Sequence, residues 1–99
     1  MADLSNDIRL AVDSGKALLG ANRALQSIAD HKAKMVIVAS KNKEGRLGDM
    51  EHLTKLSDIR IQEFNGTPME LGIVCGKPFS VSVISIIEPG HSRILEETY

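Results

Sequence analysis

The 99-residue chain carries 12 Lys and Arg against 13 Asp and Glu, a net charge of −1, with 42% hydrophobic and 3% aromatic residues. This length supports one modest core, and a charged fraction of 25% alongside ample Leu, Ile and Val excludes a disordered chain, so residues 1–99 are expected to form a single soluble domain. No apolar run approaches the roughly 20 residues of a membrane span, no signal peptide is read at the start, and the single cysteine, Cys75, rules out an internal disulfide, so the expectation is a cytoplasmic protein without a membrane partner.

Leu4, Ile8, Ala11 and Val12 recur at helical spacing and predict a first helix, with Asp3 or Ser5 as its cap and Gly15 at its end. Residues 16–19 read as a short strand stopped by Gly20. The helical period returns through Ala21, Leu25, Ile28 and Ala29 and ends in the polar stretch Asp30-His31-Lys32. Residues 35–39 form a continuous apolar, β-branched run, which predicts a central strand buried on both faces. Residues 40–48 are polar with two glycines and read as a loop. A helix follows through Leu47, Met50, Leu53 and Leu56, and residues 59–64 read as another strand.

After the Asn65-Gly66 turn, Thr67-Pro68-Met69-Glu70 combines a capping Thr, a Pro at the first helical position and a Glu that closes a capping box. Leu71, Val74 and Cys75 mark the buried face of this helix, and Gly76 its end. Residues 79–87 read as a long strand closed by Pro89-Gly90, and residues 92–97 as a last short helix. Helices and strands alternate without internal repeats, which predicts a compact three-layer α/β/α sandwich with a central mixed sheet.

The charge is unevenly distributed. Residues 16–48 hold seven Lys and Arg against Asp30 and Glu44, a local +5, whereas residues 1–15, 49–75 and 76–99 sum to −2, −3 and −1. Local potential, not the total, attracts a polyanion, and the bland alternative is a solvated lysine-rich face.

Enzyme motifs fail on inspection. Gly76-Lys77 lacks the earlier glycine of a P-loop, since Leu71 holds that position, and the pair follows a helix instead of opening one. His31, His52 and His91 lie in separate elements with no metal-ligand spacing. Cys75 reads as a small buried hydrophobe without a base to activate it. Glu51, Glu63 and Glu70 are spaced as surface or capping carboxylates. No catalytic residue, metal or cofactor is implied.

A binding surface built from loops is the remaining option. Gly20-Ala21-Asn22-Arg23 joins a strand to a helix start, where backbone N–H groups favour an anion. There Asn22 serves as a cap or a base contact, and Arg23 as a phosphate partner. Residues 40–46, with Lys41, Asn42, Lys43 and Arg46, leave the carboxyl end of the next strand, where ligands of open α/β sheets bind. In Gly76-Lys77-Pro78-Phe79-Ser80-Val81, Phe79 either packs into the core or joins an exposed Val81 as an apolar surface for unstacked bases.

Gly20-Ala21-Asn22-Arg23, Glu70-Leu71-Gly72 followed by Cys75-Gly76-Lys77, and residues 87–95 (Ile-Glu-Pro-Gly-His-Ser-Arg-Ile-Leu) resemble the archaeal and eukaryotic ribosomal L-thirty-e family. That family is a branch of the L-seven-Ae superfamily of kink-turn RNA-binding proteins, and the resemblance runs from the first helix to Leu95. It implies a non-catalytic protein of the large ribosomal subunit that binds ribosomal RNA through three loops, beside neighbouring large-subunit ribosomal proteins, and is a monomer when free. The contacts it implies are Gly20, Asn22 and Arg23 in the first loop, Lys41 or Asn42 with Arg46 in the second, and Phe79 and Val81 in the third. Lys43 and Lys77 add phosphate contacts.

The superfamily's Asn-Glu-x-x-Lys pattern reads Asn22-Arg23-Ala24-Leu25-Gln26 here, which points to the ribosomal branch. Other readings are a general kink-turn protein of other ribonucleoproteins, autoregulatory binding to its own transcript, a small α/β enzyme, and a module whose basic loops meet an acidic protein.

Overall fold

The computed structural model describes residues 3–40 and 59–96. Helix α1 (Leu4–Ser14) is capped by Asp3, whose carboxylate accepts the Asn6 N–H at 3.3 Å. Strand β1 (Lys16–Leu19) leads into helix α2 (Ala21–Ala29), and β2 (Met35–Ala39) is followed after the gap by β3 (Arg60–Phe64). Helix α3 (Pro68–Val74) and strand β4 (Val83–Glu88) complete the described fold. The predicted helix through Leu47, Met50, Leu53 and Leu56, and the loop before it from residue 41, lie outside the described residues.

The four strands form one mixed sheet in the order β1-β4-β2-β3. Strand β4 runs antiparallel to both β1 and β2, while β2 and β3 are parallel. As the continuous apolar run predicts, every residue of β2 is buried. Its alternate side chains serve two cores. Met35, Ile37 and Ala39 join Ile84 and Ile86 of β4 beneath Ile8 and Ala11 of α1 and Leu71 of α3. Val36, Val38 and Val83 pack on the opposite face against Ala21, Ala24 and Ile28 of α2. Helices on both faces of a mixed sheet are the predicted three layers.

One polar pair sits in the second layer. Ser27 and Ser85 are buried, with hydroxyl oxygens 2.6 Å apart. Ser27 Oγ also lies 2.7 Å from the Ala24 carbonyl, which only accepts, so Ser27 donates there and Ser85 donates to Ser27.

Three local expectations need correction. The predicted strand over residues 79–87 begins only at Val83, because the preceding segment is tied to α3. Val81 N–H donates to the Pro68 carbonyl at 2.9 Å, and the Phe79 carbonyl is seated directly on the α-carbon of Gly72. The predicted helix over residues 92–97 is only a turn within the described part. Its groups take tertiary partners: Ser92 Oγ donates to the Asp7 carbonyl at 2.6 Å and accepts Ile94 N–H at 3.2 Å. Arg60 then donates to the Ile94 carbonyl at 3.0 Å. The capping box is half made: Thr67 Oγ1 accepts Glu70 N–H at 3.2 Å, while the Glu70 carboxylate stands over Gly66.

Candidate nucleic-acid interface

Strand directions bring the loops together. Because β4 opposes β1 and β2, its start lies at the same sheet edge as their carboxyl ends, and parallel β3 ends there too. Backbone bonds lace this edge. Gly20 N–H donates to the Val83 carbonyl at 2.8 Å, and Ala39 N–H to the Ser82 carbonyl at 2.9 Å. Ser40 N–H donates to the Phe64 carbonyl at 2.8 Å, and its hydroxyl accepts Gly66 N–H at 3.2 Å. The first and third predicted contact loops therefore meet at one rim, and Ser40 marks where the second leaves β2.

Gly20 adopts φ 107° and ψ 151°, a combination essentially confined to glycine. A Cβ there would meet nothing within 4 Å, so the requirement is conformational and the backbone stands open to an incoming ligand. Gly20 is also the N-cap of α2 and brings no side chain to the first-turn N–H groups. This corrects the expectation that Asn22 caps the helix: Asn22 sits two positions further in, and Arg23 follows it, both exposed. Gln26, at the position of the superfamily's Lys, donates its amide to Asp30 at 3.1 and 3.2 Å and is turned toward the far end of α2.

The third loop separates two residues that the sequence reading paired. Phe79 is 51% exposed, so the core alternative for it fails. Val81 is 2% exposed and packs in the core with Ile84 and Leu71, so the expected exposed Val81 surface is corrected. Its N–H bond to Pro68 turns the chain so that residue 81 points inward and residue 79 outward. Lys77 is exposed on the same loop. Lys41, Asn42, Lys43 and Arg46 lie outside the described residues, as does His52.

Arg23, Lys77 and Phe79 meet at an open groove of about 570 Å³, whose remaining lining is Val12 of α1 and Ala17 and Leu19 of β1. Neither cation makes an ion pair with another described residue; the salt bridges there are Arg9–Asp13 and Arg93–Glu96. The apolar part of this lining is invisible in the sequence, where Val12 and Leu19 read as ordinary core positions.

The other reactive side chains take no part. Cys75 is 2% exposed, and burial pushes its thiol up from 9.0 to about 11, partly offset by the nearby positive charges of Lys77 and Arg9. It is a neutral thiol at physiological pH. His31 and His91 are both exposed, His91 donating its backbone N–H to Ser14 Oγ at 2.9 Å. No group of three metal-ligating side chains occurs among the described residues.

A mixed sheet between helix layers, with basic and aromatic side chains on the loops at one end, defines an α/β/α domain with a candidate binding rim. Residues 2–96 match the Ribosomal protein L7Ae/L30e/S12e/Gadd45 family, and the chain belongs to it. Among individual relatives, the large ribosomal subunit protein eL30 of Methanosphaera stadtmanae is 45% identical over 94 residues, covering 95% of this chain and 96% of the relative. The eL30 protein of Methanothermobacter thermautotrophicus is 46% identical with the same coverage. That of Saccharolobus solfataricus is 43% identical over 90 residues, 91% of this chain and 83% of the relative.

Proposed function

We propose that this chain is a non-catalytic component of the large ribosomal subunit that binds ribosomal RNA at a kink-turn or sharply bent internal loop. The observation that carries the reading is the shared rim. An exposed Phe79 lines one groove with Arg23 and Lys77, neither of them paired with a described carboxylate, and Gly20 on the first loop has an open backbone. Phosphates meet the cations, while an apolar ring accepts bases that a bend has unstacked. Lys41 or Asn42, with Lys43 and Arg46, extends the contact from the end of β2. The basic stretch of the sequence divides between the two ends of the sheet: Arg23 follows Gly20 at the rim, whereas Lys16 pairs with Glu88 and Lys34 donates its N–H to Ile86 at the other end, so the net charge of −1 fits binding by a few placed cations rather than by bulk charge.

The relatives named as large ribosomal subunit proteins, and the Arg23 and Gln26 departures, favour the ribosomal role over a general kink-turn protein. Ribosomal neighbours are the expected protein partners, and the free chain is a monomer.

A gel shift at fixed salt tests this with a kink-turn RNA and a straight duplex of equal length. Preference for the kinked RNA is expected, with a near-uniform loss for Arg46→Ala on both RNAs. Phe79→Ala should weaken binding to the kinked RNA about fivefold or more, since stacking on an aromatic side chain contributes roughly 1–3 kcal/mol per base. Equal binding of both RNAs refutes shape readout.

A further inference from the structure

The chain leaves α3 through a tightly bonded turn. Gly76 N–H donates to the Ile73 carbonyl at 2.9 Å and Lys77 N–H to the Gly72 carbonyl at 3.0 Å, the paired bonds of a Schellman cap. Gly76 supplies the left-handed φ of 75° that this cap requires. Three residues later the Phe79 carbonyl is seated on the α-carbon of Gly72. Lys77, Pro78 and Phe79 therefore span two fixed points, and the direction taken at Gly76 decides where the Phe79 ring stands.

What lies on Gly76 comes from α1. A Cβ at position 76 would be 2.6 Å from Arg9 Nη1, 2.7 Å from its Cζ and 3.0 Å from its Nη2. Near-equal distances to three atoms of one plane put the flat face of the guanidinium, not its edge, over the glycine. Asp13 holds Arg9 in this place, its carboxylate accepting the Arg9 Nε–H at 2.7 Å. The cation also stands at the C-terminal end of α3, where carbonyl dipoles favour positive charge. Val12, three residues along α1 from Arg9, lines the groove with Lys77 and Phe79, so this face of α1 runs beside the third loop.

We propose that Arg9 is a positioning residue for the third loop: pinned by Asp13, its guanidinium closes over Gly76, fixes the exit of the chain from α3 and so holds Phe79 at the rim. It acts through Gly76, without touching RNA. The inference rests on the RNA-binding reading above and adds to it a residue outside the three contact loops. The competing role for a half-exposed arginine is a direct phosphate contact. Asp13 tells the two apart by sign. It lies in the last turn of α1, where a carboxylate opposes the helix dipole, so Asp13→Ala does not weaken the helix. A phosphate-binding Arg9 released from Asp13 binds RNA more tightly, whereas a positioning Arg9 loses its anchor.

The test is a gel shift with the kink-turn RNA over a series of salt concentrations, together with amide hydrogen exchange on the free proteins. Arg9→Ala and Arg9→Lys are each expected to weaken binding about three- to fivefold, within the loss expected for Phe79→Ala. Lysine keeps the charge but has no plane to lay on Gly76, so it does not rescue. Asp13→Ala should weaken binding in the same direction. Arg9→Ala added to Phe79→Ala should cause no further loss, because both act through one ring. The dependence of log Kd on log salt should keep its slope in Arg9→Ala, whereas a lost phosphate contact lowers it by about 0.7–0.9. In the free variants the Lys77 amide should exchange several times faster, with the Val81 amide unchanged, and thermal melts confirm that each variant is folded.

Rescue by Arg9→Lys, tighter binding by Asp13→Ala or a reduced salt slope makes Arg9 a phosphate contact and overturns the proposal. Unchanged affinity and unchanged Lys77 exchange in Arg9→Ala overturn it equally. Loss of kink-turn preference in the wild-type protein overturns the RNA-binding reading itself, while Lys77 exchange still reports whether Arg9 holds the loop.

Discussion

Gly72→Ala sets two effects of opposite sign against each other. Gly72 lies inside α3, where Ala is intrinsically better by about 1 kcal/mol, so helix propensity alone predicts a more stable protein. The added methyl, however, would lie 3.0 Å from the Phe79 carbonyl carbon, 3.4 Å from the Ser80 α-carbon, and inside the van der Waals envelope of the Phe79 carbonyl oxygen. Carbon atoms pack at about 3.5–4.0 Å, so the segment must retreat by about 1 Å. What has to move is backbone, and Val81 on the same segment is anchored in the core and to Pro68. Overpacking of this kind costs typically 1–3 kcal/mol, and a backbone obstacle belongs at the upper end. The net expectation is a destabilisation of about 1–2 kcal/mol, a fall in Tm of roughly 4–15 °C for a chain of this size. Because Phe79 moves with its carbonyl, affinity for the kinked RNA should fall further than the stability loss explains. Thermal denaturation followed by circular dichroism, together with the gel shift on folded protein, measures both. An unchanged or raised Tm would refute the steric argument and leave propensity as the dominant effect.

Gly20→Ala meets no steric obstacle, yet its backbone angles should make it about 1–3 kcal/mol less stable, visible as a lower urea midpoint; an unchanged midpoint would refute the conformational argument. Ser27→Ala leaves the buried Ser85 hydroxyl without its acceptor and should cost about 1–3 kcal/mol, whereas Ser27→Ala with Ser85→Ala should recover much of that loss in the same measurement. For Cys75, the folded-state thiol titrates at about 11 against 9.0 when unburied, so the unfolded chain loses its proton first. That contribution to stability is complete below pH 9 and is lost as pH rises toward 11. Cys75→Ala should flatten this part of a stability–pH curve, and the wild-type thiol should resist alkylation at pH 8 until the protein is denatured.

Much of the fold was legible in the residues because its signals are local. Strand β1 falls on the predicted residues 16–19, and the Asp3, Thr67 and Gly76 punctuation places the ends of α1 and α3 where backbone capping requires them. The apolar run at residues 35–39 is read correctly as buried on both faces, since a strand surrounded by two helix layers can afford no polar side. The misreadings share a cause. Residues 79–82 and 92–96 have suitable strand and helix composition, but the Val81 N–H is taken by Pro68, the Ser92 hydroxyl by Asp7 and the Ile94 carbonyl by Arg60, all distant in sequence.

The candidate site divides in the same way. Glycine at position 20, the cations at 23 and 77 and the aromatic at 79 were identifiable from residue type and from the family resemblance. Which of Phe79 and Val81 faces outward was not, because both are apolar and two residues apart. An ideal strand would have put them on one face. The bond from Val81 N–H to Pro68 breaks that alternation and buries one while exposing the other. The groove itself exists only once β4 runs antiparallel to β1 and α1 lies across the sheet, bringing residues 12, 17 and 19 beside 77 and 79. The amino-acid sequence by itself determined α1, α2, α3 and strands β1 to β3 and the chemistry available at the loops, which depend on neighbours a few residues away. Strand order and long-range hydrogen bonds decided which of those side chains share a surface, because that depends on contacts between residues some sixty positions apart, such as Gly20 with Val83.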